Sequence, residues 1–142
     1  MRLFVDTSVL LAAAASHRGA WREIFRLASP NEWVMITTAY VVDEVLRNLP
    51  DFPPVVSAEW ARLRLELLLM EDVVTVDRPA VFSAGKDRPI LFSALAWADV
   101  LLTLDSADFG KFLGSSFYGM PVLRPGQFLL SERAAGRLRE PI

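Results

Sequence analysis

Two short apolar runs in the sequence each end at an aspartate. Residues 3–5 (Leu-Phe-Val) precede Asp6, and residues 100–104 (Val-Leu-Leu-Thr-Leu) precede Asp105. An apolar run of this length, without alternating polar residues, is typical of a strand that is buried on both faces, as in a parallel sheet covered by helices. We therefore expect two buried strands, each with a carboxylate at its carboxyl end.

Predicted strands and helices alternate along the rest of the chain. The second strand is expected over residues 33–37, the third over 73–76 and the last over 121–123. The first helix is expected to follow the first strand and to end at Ala15, and the second covers residues 19–28. A third helix, capped by Thr37 or Thr38, is expected to end at Leu49. Further helical segments are expected over residues 57–69, 79–84 and 86–98. We find no hairpin signal, so this order predicts an α/β fold with a central parallel sheet and helices on both faces.

Length and composition fit one folded domain. The chain has 142 residues, of which 53% are apolar and 23% charged, which is enough for one core and too apolar for intrinsic disorder. We therefore treat residues 1–142 as a single domain. Charged residues interrupt every long apolar stretch, so no membrane span is expected. The first residues lack the apolar region of a signal peptide, which indicates a cytoplasmic protein.

Composition also restricts the chemistry of any metal site to oxygen ligands. The chain has no cysteine and one histidine, which excludes disulfides, thiolate zinc sites, a cysteine nucleophile and a multi-histidine site. The net charge of -2 argues against a protein covered in positive charge for nonspecific DNA binding. Nucleic acid would have to bind through a local basic patch.

Four carboxylates can meet at one edge of the predicted sheet. Asp6 and Asp105 end strands, Asp87 begins the helix before the second of these strands, and Glu44 lies early in the helix after the second strand. Ligands of open parallel sheets bind outside the carboxyl ends of the strands. Periodicity does not choose Glu44 over Asp43. A cation would offset the repulsion within such a cluster, and Mg²⁺ or Mn²⁺ fits oxygen ligands best. The chemistry that this favours is phosphoryl transfer by a metal-activated water.

Four segments then show a resemblance to a known family. They are Leu3-Phe-Val-Asp-Thr-Ser-Val-Leu10, Val42-Asp-Glu-Val-Leu-Arg-Asn-Leu49, Lys86-Asp-Arg-Pro-Ile-Leu-Phe-Ser-Ala-Leu95 and Ala98-Asp-Val-Leu-Leu-Thr-Leu-Asp-Ser-Ala-Asp-Phe109. In this order they resemble the PIN-domain family, and residues 121–128 are similar to its closing strand and helix start. The resemblance implies a three-layer α/β/α PIN-like fold and a Mg²⁺- or Mn²⁺-dependent endoribonuclease. Such an enzyme is often the toxin of a VapC-like toxin-antitoxin pair, with RNA as substrate and a cognate antitoxin protein as partner.

The resemblance also implies functions for individual residues. The catalytic and metal-binding carboxylates are Asp6, Glu44, Asp87 and Asp105, with Asp108 as a further ligand through a water. The hydroxyl groups of Ser8 and Thr103 correspond to small hydroxyl residues of the family that accompany the acidic ones.

Basic residues on two predicted helices are candidates for contact with RNA. Arg18, Arg22 and Arg26 recur every four residues and predict a stripe that could contact phosphates beside the site. The alternative is a solvated helix face that is partly paired with Glu23. A second group consists of Lys86 and Arg88, on either side of Asp87, where they could instead balance the local acidity.

The predicted helix over residues 57–69 carries more leucine than one buried face requires. This excess favours a homodimer or a higher homo-oligomer. Core packing on two sides of the helix is the competing explanation.

Each carboxylate also has a purely structural interpretation. Asp6 and Asp87 can cap helices, Glu44 can be a solvated surface residue and Asp105 can form a turn. The alternative function is therefore a catalytically silent PIN-like module that binds RNA or a protein. A phosphohydrolase or receiver-like domain fits less well, because Asp6-Thr-Ser lacks the second aspartate of a phosphatase signature.

Overall fold

A computed structural model of the chain describes residues 1–73 and 88–141. The strands are β1 (Arg2–Val5), β2 (Val34–Thr38), β3 (Leu68–Met70), β4 (Val100–Leu102), β5 (Ser115–Phe117) and β6 (Met120–Leu123). The helices are α1 (Thr7–Ala15), α2 (Ala20–Leu27), α3 (Ala39–Asn48), α4 (Pro54–Arg64), α5 (Arg88–Trp97), α6 (Ser106–Phe109) and α7 (Pro125–Ala134), with a 3-10 turn over Leu49–Asp51. Within the described residues, no helix has the length and apolar character needed to cross a membrane.

One six-stranded sheet organises the fold, in the order β3-β2-β1-β4-β6-β5. The strands from β3 to β6 in this order are parallel, with Phe4 of β1 opposite Ile36 of β2 on one side and Leu101 of β4 on the other. Leu3, Phe4 and Val5 are fully buried at its centre. This is the expected three-layer α/β/α architecture, and β1 and β4 are the buried strands predicted from the two apolar runs.

The last two strands form an antiparallel hairpin that the sequence did not predict. Ser115 of β5 pairs with Val122 of β6, and Phe117 pairs with Met120. Tyr118 and Gly119 connect the strands with φ angles of 47° and 82°. Left-handed angles at both positions suit a two-residue hairpin turn, because they match the twist of the strands. The expectation that the chain has no hairpin is therefore wrong at this edge, while the central strands are parallel as predicted.

The leucine-rich segment after α4 is the second correction. The predicted helix over 57–69 ends at Arg64, and Leu68–Met70 form β3 beside β2. The leucines around the end of α4 differ in burial: Leu63 and Leu67 are buried, whereas Leu65 is 87% exposed. Most of the predicted strand over 73–76 and all of the helical turn over 79–84 lie outside the described residues. The homo-oligomer stays a prediction.

The segment after α7 is tied to the loop that precedes β2. Asn31 donates from Nδ2 to the carbonyl oxygen of Arg139 at 2.7 Å, and its Oδ1 accepts the Arg139 N–H, also at 2.7 Å. The buried Glu132 accepts two hydrogen bonds from Arg137, at 2.8 and 3.0 Å. These contacts dock the C-terminal segment on the amino-terminal edge of the sheet, where β2 begins.

We expect Asn31→Ala to lower the free energy of unfolding by about 1–3 kcal/mol, because two hydrogen bonds to the Arg139 backbone and one to the Leu27 carbonyl oxygen are lost. Urea unfolding measures this change. The control is Asn48→Ala, which removes one side-chain hydrogen bond on the exposed end of α3 and should cost less than about 0.5 kcal/mol. Equal effects of the two substitutions would show that the docked segment adds no stability.

Candidate active site

Asp6 lies at the centre of the carboxyl-terminal edge of the sheet. It follows β1 directly and is the N-cap of α1, where Oδ1 accepts the Val9 N–H at 3.2 Å. Only 2% of the residue is exposed. The structural interpretation of Asp6 as a helix cap is therefore correct, but the cap uses only one of the two carboxylate oxygens.

Two hydroxyl groups fix the carboxylate of Asp6. Ser8 donates to Oδ1 at 2.6 Å, and the Thr103 hydroxyl donates to Oδ2 through a short hydrogen bond. A carboxylate oxygen has two acceptor positions. Together with Val9, these donors use both positions on Oδ1 and one on Oδ2. Among residues 1–73 and 88–141, no donor uses the second acceptor position on Oδ2, which can bind a ligand.

The same hydroxyl groups connect Asp6 to the turn after β4. The Ser8 hydroxyl accepts the N–H of Leu104 at 2.9 Å, and the Thr103 hydroxyl accepts the N–H of Asp105 at 3.0 Å. Each hydroxyl therefore donates to the Asp6 carboxylate and accepts from one backbone amide in the turn. The position of Asp105 relative to Asp6 depends on these two side chains, which the sequence resemblance had singled out.

Asp6 and Asp105 form an acidic pair. Burial, and to a smaller extent the charge of Asp105, raise the pKa of Asp6 from 3.8 to about 6, although the hydrogen bonds from Ser8, Thr103 and Val9 oppose this shift. A buried carboxylate close to a second negative charge is costly to ionise, and a cation removes this cost. The donor set consists of oxygen atoms alone, which fits a hard divalent cation such as Mg²⁺ or Mn²⁺.

Glu44 lies in the second turn of α3 and is half-buried, with its Oε1 atom enclosed, whereas Asp43 is exposed. This difference decides between two residues that periodicity could not separate, and it favours Glu44 as the inward-facing carboxylate. In residues 1–73 and 88–141, however, no group of three or more His, Cys, Asp or Glu side chains is compact enough to hold a metal ion. The structure thus places Asp105 near enough for its charge to act on the Asp6 carboxylate, and the inclusion of Glu44 in the site stays a prediction.

The remaining predicted site residues fall outside what the structure describes. Asp87 and Lys86 lie in the segment 74–87, which is not described, and the side chains of Arg88 and Asp108 are likewise outside the description. Their expected functions therefore stay predictions.

The arginine stripe is largely engaged in contacts within the protein. Arg22 donates to the carbonyl oxygen of Ala13 at 2.9 Å and to Glu59 at 2.6 Å. Arg26 pairs with Glu23 and, at 3.1 Å, with Glu140. These hydrogen bonds lower the pKa values of Glu59 and Glu23. The alternative of a paired helix face thus describes Arg22 and Arg26 better than a phosphate-contacting stripe.

The position of Arg18 also separates it from the acidic pair. Arg18 lies in a cleft of about 550 Å³ that His17 and Glu66 also line. His17 follows the end of α1, and Glu66 precedes the amino end of β3. Because α1 starts at Asp6 and extends for about 13 Å, this cleft lies toward the opposite edge of the sheet.

The sequence did not reveal how the start of α3 is held. Asp72, which follows β3, accepts the N–H of Tyr40 at 3.1 Å, so a distant carboxylate replaces the expected threonine cap. The side chains of Ser93 and Trp97 on α5 bind the backbone of Val73 and Glu71, at 2.8 Å in both cases. No local sequence signal indicates these contacts, because the partners are 20 to 32 residues apart in the chain.

Comparison with known proteins identifies the fold. No family model and no curated protein matches the sequence. A chain of VapBC2 from Rickettsia felis, solved with a DNA fragment from their promoter, superposes with a TM-score of 0.64 and 12% identity, over 86% of this chain and 97% of that one. PAE2754 from Pyrobaculum aerophilum superposes with a TM-score of 0.62 and 17% identity, over 94% of this chain and 90% of that one. The chain has a VapC-like PIN-domain fold.

The PIN-type fold extends over nearly the whole chain, since both similar structures cover more than four fifths of it. At 12% and 17% identity, the similarity establishes the architecture alone. The chemistry has to be argued from the side chains of this chain, and within this PIN-type fold the pair Asp6 and Asp105 occupies the carboxyl-terminal edge of the two central strands, β1 and β4.

Proposed function

We propose that the protein is a Mg²⁺- or Mn²⁺-dependent endoribonuclease, with Asp6, Glu44, Asp87 and Asp105 as its metal-binding carboxylates. The observation that carries this proposal is the acidic pair: a carboxylate that is 2% exposed, whose pKa is raised by burial and by the charge of Asp105, at the edge where parallel sheets bind ligands. Such a pair is unfavourable for the fold by itself, and a function explains its presence.

Each residue of the pair has a defined contribution. The ion, when bound, would lower the pKa of a water and stabilise the leaving oxygen of an RNA phosphodiester. Asp6 offers the open acceptor position on Oδ2, and its other contacts prevent the carboxylate from rotating. Asp105 lies in the turn that Thr103 and Ser8 hold. These supporting hydrogen bonds fix the ligands before an ion arrives, which favours binding because little ordering remains to be done.

The biological setting that we propose is a toxin-antitoxin pair. The similar chain from Rickettsia felis is part of a VapBC2 complex, so the same arrangement would make this protein the toxin and a small antitoxin protein its partner. The catalytically silent PIN-like module is the second candidate, because the described residues form no three-residue metal cluster.

Calorimetric titration of Mn²⁺ into EDTA-treated protein, with a parallel RNA cleavage assay, tests the proposal. We expect saturable binding by the wild type, and at least about a 100-fold loss of cleavage in Asp6→Asn and Asp105→Asn, because several kcal/mol of charge stabilisation depend on the ion. Glu44→Gln should also reduce cleavage, while Asp43→Asn on the exposed face of the same helix serves as the matched control. Unchanged cleavage in both aspartate variants would rule out this site.

A further inference from the structure

Two threonines flank Asp6 across the sheet. The register pairs Phe4 with Ile36 on β2 and Val5 with Leu102 on β4. Continued to Asp6, it places Thr38 beside Asp6 on one side and Thr103 on the other. Both threonines are fully buried. Residues in register on neighbouring parallel strands project to the same face of the sheet, so the two side chains occupy equivalent positions relative to Asp6.

Their hydrogen bonding differs. The Thr103 hydroxyl donates to Asp6 and accepts the N–H of Asp105. The Thr38 hydroxyl is buried and makes no hydrogen bond within the part of the chain that the structure describes. Thr38 is the N-cap residue of α3, yet its side chain does not cap the helix, and Asp72 accepts the Tyr40 N–H instead.

A buried hydroxyl without a partner costs stability, so it calls for an explanation other than folding. Valine has the shape of threonine and a high preference for strands, and it would fill the position of Thr38 without that cost. The Thr7 hydroxyl, directly after Asp6, is also buried without a partner within residues 1–73 and 88–141. Two residues that adjoin Asp6, one in register on β2 and one next in the chain, thus each have a buried hydroxyl that the fold does not use.

We propose that Thr38 is a positioning residue for the divalent ion, and that its hydroxyl binds one of the waters that the ion retains. This inference rests on the proposed function. Mg²⁺ keeps several of its waters when proteins bind it, so groups beside the carboxylates contribute to its affinity by holding those waters. Thr103 orients the carboxylate from the β4 side, and Thr38 orients the hydrated ion from the β2 side.

The test compares Thr38→Val, Thr38→Ser and Thr103→Val by Mn²⁺ calorimetry and by thermal unfolding in EDTA. We expect Thr38→Val to weaken Mn²⁺ binding about tenfold, as is usual when a group that supports a metal ligand is removed. Its Tm in EDTA should be no lower than that of the wild type, because no hydrogen bond is lost. Thr38→Ser should restore wild-type affinity. Thr103→Val should lower both the affinity and the Tm.

Two results would overturn the inference. Either Thr38→Val binds Mn²⁺ as tightly as the wild type, or it unfolds in EDTA at a clearly lower Tm than the wild type, which would show that the Thr38 hydroxyl makes a structural hydrogen bond. Thr38→Ala replaces Thr38→Val in the comparison if the valine variant does not fold. Absence of Mn²⁺ binding in the wild type would instead refute the proposed function, so the two failures are distinguishable.

Discussion

In EDTA at about pH 8, Asp6→Asn is expected to be more stable than the wild type by up to about 3 kcal/mol, because burial raises the pKa of Asp6 from 3.8 to about 6. The folded state binds the proton more tightly than the unfolded state. The contribution of Asp6 to stability is therefore largest below about pH 4 and is lost as the pH rises through about 6. Asparagine cannot ionise, and its Oδ1 can still cap α1. Its Nδ2 cannot accept the Thr103 hydrogen bond, so the gain is the cost of the buried charge minus the contribution of that hydrogen bond.

Urea unfolding of both proteins between about pH 4 and 8 measures the difference in their free energies of unfolding. Groups that both proteins share, such as Glu23 and Glu59, titrate equally in the two, so their contribution cancels in this difference. The difference between the two curves should shift in favour of Asp6→Asn as the pH rises through about 6. Saturating Mn²⁺ should stabilise the wild type alone, by about 4.1 kcal/mol at one thousand times the dissociation constant, and so reverse the order. A wild type that is more stable than Asp6→Asn at every pH in EDTA would contradict the argument.

Thr103→Val is expected to lower the free energy of unfolding by about 2–3 kcal/mol near neutral pH, since hydrogen bonds to charged groups contribute more than neutral ones. The substitution removes the donor to Oδ2 of Asp6 and the acceptor of the Asp105 N–H. The Thr103 hydrogen bond lowers the pKa of Asp6, so its loss should move the titration of Asp6 to a higher pH.

Thr103→Ser is the matched control, because serine keeps the hydroxyl and loses only a methyl group. It should retain most of the stability and leave the pH dependence unchanged. Urea unfolding at several pH values separates the two variants. If serine and valine were equally destabilising, packing rather than hydrogen bonding would account for the effect. The hydrogen bonds of Thr103 to Asp6 and to the turn after β4 would then contribute nothing to the free energy of unfolding.

The sequence predicted the parts of the fold that depend on local pattern and burial. The apolar runs before Asp6 and Asp105 located β1 and β4, and the general rule for ligand binding at carboxyl ends of parallel strands placed both aspartates at one edge. The end of α4 was not predictable in this way. Residues 65–70 are leucine-rich and lack a helix breaker, so pairing with β2, a contact between distant parts of the chain, decides that Leu68–Met70 form a strand.

Polar contacts between distant parts of the chain could not be predicted from the sequence either. Arg22 and Glu59 are 37 residues apart, and Asp72 is 32 residues from Tyr40. Helix periodicity placed Arg22 on a polar face correctly, but it could not show that a carboxylate of α4 faces it. The burial difference between Glu44 and Asp43 likewise depends on how α3 packs, which neighbouring residues in the sequence do not determine.

Asp6 both begins a helix and belongs to the acidic pair, and this has a consequence for how such a protein changes over generations. A single exchange to asparagine keeps an excellent helix cap and removes the cost of a buried charge. Loss of the proposed activity through this exchange would thus need no compensating substitution elsewhere. We expect a descendant of this chain with asparagine at position 6 to keep its fold.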